Sequence, residues 1–215
     1  MNAVQQNDAR AGVPRRQGIT REAITGLVLA GGLGRRMSAD GEGVDKGLVE
    51  LHGRPMVQHA IERLAPQVSA VLVNANRSAQ TYARFGWPVL ADAVGGFAGP
   101  LAGLSAGLDA ARTPWLVTVP CDSPFLPTDL VSRLASALVE HGAPIALARA
   151  GGHAQPVFAL VSCMLGDDLR GFLQAGGRKI DLWTARHGAV EVDFEDAAAF
   201  SNINTPQELS RHERP

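Results

Sequence analysis

Short apolar runs alternate with amphipathic segments through most of the chain. The runs Ile24–Ala30 and Val68–Val73 are typical of buried strands, and Pro55–Ala65 between them repeats apolar residues at helical spacing. Strands that alternate with helices form a mostly parallel sheet covered on both faces. Because ligands of such α/β folds bind at the carboxyl ends of the strands, the residues that follow each strand are the first candidates for a functional site.

The same periodicity assigns the remaining elements. Thr205-Pro206-Gln207-Glu208 is a capping box with proline at the first helical position, which predicts the start of a last helix. The other predicted strands are Trp87–Leu90, Trp115–Val119, Ile145–Ala148, Val157–Val161 and Ala199–Ile203, and the other predicted helices are Leu101–Ala111, Thr128–Glu140 and Met164–Ala175.

Length and composition limit the organisation and the class of the protein. The 215 residues suit one domain, and we expect a polar, disordered leader over residues 1–22 followed by a single domain over residues 23–212. The net charge of −1 argues against a general nucleic-acid binder. The sequence has no long apolar run and no targeting pattern, which predicts a cytoplasmic protein without a membrane span. Two cysteines are too few for a disulfide framework, and the six histidines lack the spacing of a zinc site.

A loop rich in glycine and arginine follows the first strand. Its glycines allow backbone N–H groups to approach phosphate oxygens closely, and its arginines supply fixed positive charge. Lys46 adds a second cationic side chain, whereas Met37 at the third glycine position argues against a dinucleotide-binding fingerprint. The alternative is a flexible glycine turn with a solvated arginine pair. The loop residues concerned are Gly31, Gly32, Gly34, Arg35 and Arg36.

A carboxylate held between two prolines follows the fourth strand, in Pro120-Cys121-Asp122-Ser123-Pro124. Magnesium is held by one or two protein oxygens together with phosphates, and a rigid Asp122 suits that requirement. Asn204 could supply a second metal ligand through its carbonyl oxygen. The alternatives are a turn-forming Asp122 and local turn hydrogen bonds for Asn202 and Asn204. Cys121 is expected to be a small buried apolar residue rather than a nucleophile.

Further polar and small residues follow the second and third strands. Asn74 and Asp92 could contact a base or ribose, since a carboxylate can accept hydrogen bonds from guanine donors. Pro100, Leu101 and Gly103 open a helix whose free N–H groups could meet a base edge or an anion. Close packing of a helix made of small residues is the competing explanation.

Six motifs occur in one order along the chain. They are Leu29-Ala30-Gly31-Gly32-x-x-Arg35-Arg36-Met37, Asp45-Lys46-Gly47-Leu48, Val73-Asn74-Ala75-Asn76, Gly99-Pro100-Leu101-Ala102-Gly103, Pro120-Cys121-Asp122-Ser123-Pro124 and Asn202-Ile203-Asn204-Thr205-Pro206. From about Ile24 to Leu209, this ordered set resembles the molybdenum cofactor guanylyltransferases. The resemblance implies a three-layer, Rossmann-like nucleotidyltransferase fold with a mostly parallel, mixed sheet.

The resemblance also implies a reaction. GTP and molybdenum-molybdopterin would give molybdopterin guanine dinucleotide and pyrophosphate, with Mg²⁺ as cofactor. Arg36, Lys46 and a metal on Asp122 would stabilise the leaving pyrophosphate. The resemblance assigns backbone contacts with GTP to Leu29, Ala30 and Gly31, further GTP contacts to Lys46, Asn74, Asp92 and Asp122, phosphate contacts to Arg35 and Arg36, and the metal or pterin phosphate to Asn202 and Asn204.

Other functions stay open at this point. The same chemistry could serve a molybdopterin cytidylyltransferase or a sugar-phosphate nucleotidyltransferase. A protein of another class, a catalytically silent nucleotide-binding partner of molybdoenzymes, would not need Arg36, Lys46 and Asp122 together. We expect a monomer that binds GTP and molybdopterin, contacts molybdoenzymes or other cofactor-biosynthesis proteins transiently, and has no nucleic-acid or membrane partner.

Overall fold

The structure, a computed structural model, describes residues 18–30, 33–34, 37, 43–92 and 99–213. Residues 18–22, which the sequence analysis assigned to the leader, lie within this range. Ile19 packs against the main hydrophobic core, and Arg21 Nε donates a hydrogen bond to Val68 O at 2.8 Å. Residues 19 and 21 thus contact the domain, and residues 1–17 of the predicted leader lie outside the described residues.

The described residues form one mixed sheet and two short hairpin pairs. The sheet has seven strands in the order β11-β9-β10-β8-β1-β6-β7, while β2 pairs with β3 and β4 with β5. In chain order, β1 to β11 are Ile24–Leu29, Leu33–Gly34, Val44–Asp45, Glu50–Leu51, Arg54–Pro55, Ala70–Asn74, Val89–Leu90, Trp115–Pro120, Ile145–Ala150, His153–Ser162 and Val190–Phe194.

Helices connect most of the sheet strands. The α-helices α1 to α7 are Met56–Leu64, Ala79–Ala83, Pro100–Ala110, Leu130–His141, Gly166–Gln174, Ile180–Arg186 and Pro206–His212. Short 3₁₀ turns occupy Arg21–Ala23, Lys46–Leu48, Ala65–Gln67, Cys163–Leu165 and Ala197–Phe200. Among the described residues, no helix is long and apolar enough to cross a membrane.

The strand order creates a crevice beside β1. The strands β6, β1 and β8 run parallel, and β10 runs antiparallel to both of its neighbours, β8 and β9. The chain passes from β1 outward to β6 and β7, then returns through α3 to β8 on the other side of β1. Such a reversal of strand order separates the loops at the carboxyl ends of the strands and leaves room for a ligand. The predicted mixed, mostly parallel sheet is confirmed.

Two hydrophobic cores cover the two faces of the sheet. Successive side chains of a strand point to opposite faces, so Val28 packs with α1 and α4, whereas Leu27 packs with α3, α5 and α6. Burial of both strand faces explains why β1 and β8 are continuous apolar runs. The three layers predicted from the alternation are present.

Besides the short strands β2 to β5, which were not predicted, other parts of the predicted element pattern need correction or completion. The predicted strand Ala199–Ile203 is wrong, because Ala197–Phe200 forms a 3₁₀ turn capped by Asp196 Oδ1, which accepts hydrogen bonds from Ala198 N and Ala199 N. Helices α2 and α6 were not predicted. Strand β11 was also missed, although its apolar residues alternate with Glu191 and Asp193.

Candidate active site

Residues at the carboxyl ends of four strands surround a cavity of about 250 Å³. Its lining comes from the ends of β1, β6 and β8, the loop after β7, the start of α3, the 3₁₀ turn Lys46–Leu48 and β10. The lining residues are Leu29, Lys46, Asn74, Asn76, Asp92, Gly99, Pro100, Pro120, Cys121, Asp122 and Val157. A wider groove of about 760 Å³ lies beside the start of α4, but its described lining includes none of the predicted site residues.

Lys46, Asp122 and Asn204 meet at one side of this cavity. Lys46 Nζ donates to Asp122 Oδ2 at 3.0 Å and also to Asn204 Oδ1. The side chains of Lys46 and Asp122 are 15% and 12% exposed, so water screens their attraction only partly. The backbone N–H of Ile203 donates to Asp122 O at 2.8 Å, which joins the loop after β8 to the segment before α7.

The same oxygens suit a divalent cation. Asp122 Oδ2 and Asn204 Oδ1 both point at a cation, the Lys46 ammonium, and carboxylate and amide oxygens are hard ligands that Mg²⁺ accepts. Within the part of the chain that the structure describes, no group of three or more His, Cys, Asp or Glu residues could hold a metal by itself. A magnesium ion at Asp122 and Asn204 would therefore need phosphate oxygens to complete its coordination.

The capping box of α7 positions Asn204. Thr205 Oγ1 accepts from Glu208 N at 3.2 Å, and Glu208 Oε2 accepts from Thr205 N at 3.2 Å, which confirms the predicted helix start. Glu208 Oε2 also accepts from Asn204 N at 2.6 Å. The carboxylate that closes the helix end therefore also holds the backbone of the residue that contacts Lys46.

A second polar network lies on the opposite side of the cavity. Asp92 Oδ1 accepts from Asn74 Nδ2 at 2.9 Å, and Asp92 Oδ2 accepts from Asn76 Nδ2 at 2.7 Å. Asp92 N in turn donates to Asn76 Oδ1 at 2.8 Å. Asn76 was not among the predicted site residues. Its signal was the spacing of two from Asn74 at a strand end, because side chains two apart on extended backbone share a face.

The backbone after β1 continues the sheet pairing. Ala30 N donates to Asn74 O at 2.8 Å, and Leu29 O accepts from Cys121 N at 3.0 Å. Leu29 lines the cavity, while Ala30 is buried in the core. The other predicted residues of this loop, Gly31, Gly32, Arg35 and Arg36, lie outside the described residues.

The three predicted site residues at the start of α3 have different environments. Pro100 lines the cavity. The side chain of Leu101 is fully buried in the core, which limits any ligand contact of this residue to its backbone. A Cβ atom at Gly103 would overlap Asn74 Oδ1 and lie 2.6 Å from Leu29 Cδ2. Gly103 therefore has a packing role, because only glycine lets α3 come this close to the strand ends.

Two further predicted residues have structural partners. Asn202 is exposed, apart from the cavity lining, and its Oδ1 accepts a hydrogen bond from Ser123 Oγ. Cys121 is buried, as predicted, and it is one of the residues that line the cavity beside Asp122. Burial, followed by the charge of Asp122, raises the pKa of Cys121 well above its ordinary value, so the thiol stays protonated.

Solved structures share this arrangement of strands. A molybdopterin-guanine dinucleotide biosynthesis protein A from Archaeoglobus fulgidus superposes with a TM-score of 0.70 at 24% identity, over 88% of this chain and 96% of that chain. A nucleotidyl transferase from Methanothermobacter superposes with a TM-score of 0.67 at 23% identity, over 88% and 95% of the two chains. At these identities the likeness establishes the fold, which is that of nucleotidyltransferases.

Sequence comparison narrows this class to one family. The family described as "MobA-like NTP transferase domain" matches residues 26–189. A molybdenum cofactor guanylyltransferase from Ralstonia nicotianae is 57% identical over 195 residues, covering 86% of this chain and 94% of the relative. One from Cupriavidus necator is 54% identical over 200 residues, covering 91% and 98%. The chain belongs to the MobA-like NTP transferase family, among the molybdenum cofactor guanylyltransferases.

Proposed function

We propose that the protein transfers GMP from GTP to molybdenum-molybdopterin, forming molybdopterin guanine dinucleotide and pyrophosphate. One observation carries this function: Lys46 and Asp122 line the cavity and converge with Asn204 at the carboxyl edge of the sheet, while Asp92 and its asparagine partners line the same cavity. The Lys46 wall, formed by Lys46, Asp122 and Asn204, offers a cation and metal ligands to phosphates. The Asp92 wall, formed by Asn74, Asn76 and Asp92, offers a fixed carboxylate to a base. The high identity to relatives named for this reaction supports the same substrates.

The Asp92 wall suits guanine. Asn74 and Asn76 each donate to one carboxylate oxygen of Asp92, which fixes the plane of the carboxylate. Each carboxylate oxygen retains lone pairs that can accept the N1–H and N2–H₂ donors of guanine. Cytosine presents a ring acceptor where guanine presents N1–H, so the carboxylate would face a lone pair in place of one of the two donors. A site built to hydrogen-bond an N–H group of the substrate rejects an analogue that lacks this group.

The Lys46 wall suits the phosphates. The Lys46 ammonium would neutralise phosphate charge, and Asp122 and Asn204 would hold Mg²⁺ together with phosphate oxygens. When bound, the metal supplies electrostatic stabilisation to the charge that develops on pyrophosphate. Arg35 and Arg36, which lie outside the described residues, keep their predicted role as further phosphate contacts.

The acceptor needs little activation. The oxygen of a phosphate monoester is already a nucleophile at neutral pH, so no protein base is required. In the proposed step, the pterin phosphate oxygen attacks the α-phosphorus of GTP in line. The new O–P bond forms as the bond to the β-phosphate oxygen breaks, and that electron pair leaves with pyrophosphate. The protein therefore acts by alignment and charge neutralisation.

Comparison of three nucleotides tests this function. The purified chain with Mg²⁺ and molybdenum-molybdopterin should release pyrophosphate with GTP, and kcat/KM should fall at least about tenfold with ITP, which lacks the N2 amino group. CTP should be poorer still. Equal turnover of CTP and GTP would instead indicate a cytidylyltransferase or an unselective enzyme. Nucleotide binding without pyrophosphate release would indicate a silent binding protein.

The setting of the reaction completes the proposal. We expect a cytoplasmic monomer that passes its product to molybdoenzymes through transient contacts. Mass measurement in solution by light scattering, with and without GTP and Mg²⁺, tests the monomer.

A further inference from the structure

The hydroxyl group of Tyr82 contacts the residues on both sides of Lys46. Tyr82 lies on α2, between β6 and β7, and is fully buried. Its Oη donates a hydrogen bond to Asp45 Oδ1. On the other side, a Cβ at Gly47 would lie 2.5 Å from Tyr82 Oη and 3.2 Å from Cys121 Sγ. The backbone of Lys46 is therefore held between two neighbours that touch the same hydroxyl group.

The hydroxyl of Tyr82 stays protonated and can therefore keep donating its hydrogen bond to Asp45. Burial raises the pKa of the Tyr82 hydroxyl far above its ordinary value, and the neighbouring Cys121 and Asp45 raise it further, so the hydroxyl remains a donor. Burial also raises the pKa of Asp45, and the hydrogen bonds from Tyr82 and Ser78 oppose that rise. Without the donor on Tyr82, Asp45 would lose the largest of the contributions that oppose this rise.

The turn that carries Lys46 is short. The 3₁₀ turn Lys46–Leu48 has no side-chain cap at Asp45, and it is closed by the hydrogen bond from Val49 N to Lys46 O at 3.2 Å. Asp45 is paired with Leu33 in the short β2–β3 ladder. The Lys46 ammonium must nevertheless reach Asp122 and Asn204, which are 76 and 158 positions away in sequence. The buried tyrosine supplies the rigid support that such precision requires.

We propose that Tyr82 is a positioning residue, which acts through Asp45 and Gly47 to aim the Lys46 ammonium at Asp122 and Asn204. The kinetic part of this inference rests on the proposed GMP transfer, but the placement of Lys46 can be measured without it. The chain has two lysines, and Lys179 is exposed, so it serves as an internal reference for the reactivity of Lys46.

The first experiment measures amine labelling of the full, nucleotide-free chain by mass spectrometry. In Tyr82→Phe, the rate of labelling at Lys46 relative to Lys179 should rise at least about threefold, because a misaimed ammonium is no longer shielded by Asp122. An unchanged ratio would overturn the inference, even if the protein were to transfer no GMP. The substitution keeps the buried ring, so the fold is retained.

The second experiment measures steady-state transfer in a double-mutant cycle. Tyr82→Phe should lower kcat about tenfold and leave KM for GTP within about threefold. In an Asp45→Ala background, Tyr82→Phe should cause a clearly smaller loss than in the wild type, since the hydrogen bond to that carboxylate is already gone and only the contact with Gly47 remains. Independent, multiplying losses would contradict the route through Asp45.

A matched control separates the hydroxyl from the packing of the ring. Phe85 packs edge to face on Tyr82, with ring centroids 6.3 Å apart. Phe85→Leu disturbs the same cluster but leaves the contact between Tyr82 and Asp45 in place, so kcat should stay within about twofold of wild type. A tenfold loss in Phe85→Leu would show that the effect of Tyr82→Phe comes from packing, and the inference would fail.

Discussion

Replacement of Asp122 separates the two uses of its carboxylate, which are to pair with Lys46 and to serve the phosphates. Asp122→Ala leaves the Lys46 ammonium with Asn204 as its remaining described acceptor. Removing one partner from a fully buried ion pair costs about 3–5 kcal/mol. Here both side chains border an open cavity, with 12–15% of their surface exposed, and the ammonium can turn toward water. We therefore expect a loss of about 1–2 kcal/mol in the free energy of unfolding.

The loss of transfer should be far larger than the loss of stability. In a chain of this length, 1 kcal/mol corresponds to about 2–4 °C in Tm, so Tm should fall by about 2–8 °C. Loss of a preorganised electrostatic contact to the reacting phosphates costs at least about a hundredfold to a thousandfold in kcat. Asp122→Asn should keep more of the stability, since an amide oxygen can still accept from Lys46, but should lose transfer to a similar extent.

Calorimetry and pyrophosphate release on the same preparations test this prediction. Asp129→Asn is the control, because the side chain of Asp129 is 57% exposed and its ion pair with Arg133, at 3.7 Å, lies on the surface. Its Tm and kcat should match those of the wild type. A folded Asp122→Ala protein that turns over within about threefold of wild type would refute the assigned role of this carboxylate.

Two further predictions concern packing and pH. Gly103→Ala should lower the free energy of unfolding by about 1–3 kcal/mol and raise KM for GTP, because the new Cβ would displace Asn74 and Leu29. The control is Gly171→Ala in α5, where nothing lies within 4 Å of the new Cβ, and it should raise the free energy of unfolding by about 0.5–1 kcal/mol. Equal effects of the two substitutions in urea unfolding would contradict the packing role of Gly103. The pKa of Asp168 is lowered from its ordinary value of 3.8 by hydrogen bonds from Trp183 Nε1 and then from His187 Nε2, each 2.8 Å long. The charged carboxylate of Asp168 therefore stabilises the fold above pH 3.8, and this stabilisation is lost as the pH falls through the lowered pKa. Because Asp168 is 39% exposed, Asp168→Asn should cost less than about 1 kcal/mol at pH 7, and an undiminished difference from wild type near pH 3 would contradict this reasoning.

The sequence predicted the elements whose burial is periodic. Strand β1 and helices α1 and α4 were predicted close to their observed bounds. Both faces of β1 are buried, and each of the two helices buries one continuous face. Helix α2 was missed because it has only five residues, and its burial centres on the single side chain of Tyr82. In the segment Ala197–Phe200, the local hydrogen bonds to Asp196 outweigh the apolar content that suggested a strand.

Three central residues of the candidate site could be singled out from the sequence, but their contacts could not. Lys46, Asp122 and Asn204 each stood out by residue type and by place after a strand or before a helix. The ion pair between Lys46 and Asp122 and the use of Asn204 as a shared acceptor depend on how distant loops meet, which no local pattern encodes. Asn76 and Tyr82 were missed for the same reason, since their role is to hold other side chains, Asp92 and Asp45, by hydrogen bonds.

Glu208 links the formation of helix α7 to the placement of Asn204 in the candidate site. Glu208 closes the end of α7 and holds the backbone of Asn204, while Ile203 is tied to the backbone of Asp122. During synthesis, the sheet strands from β1 to β11 emerge before these contacts can form. A growing chain that has already formed its sheet therefore still lacks the contacts that hold Asn204 beside Lys46.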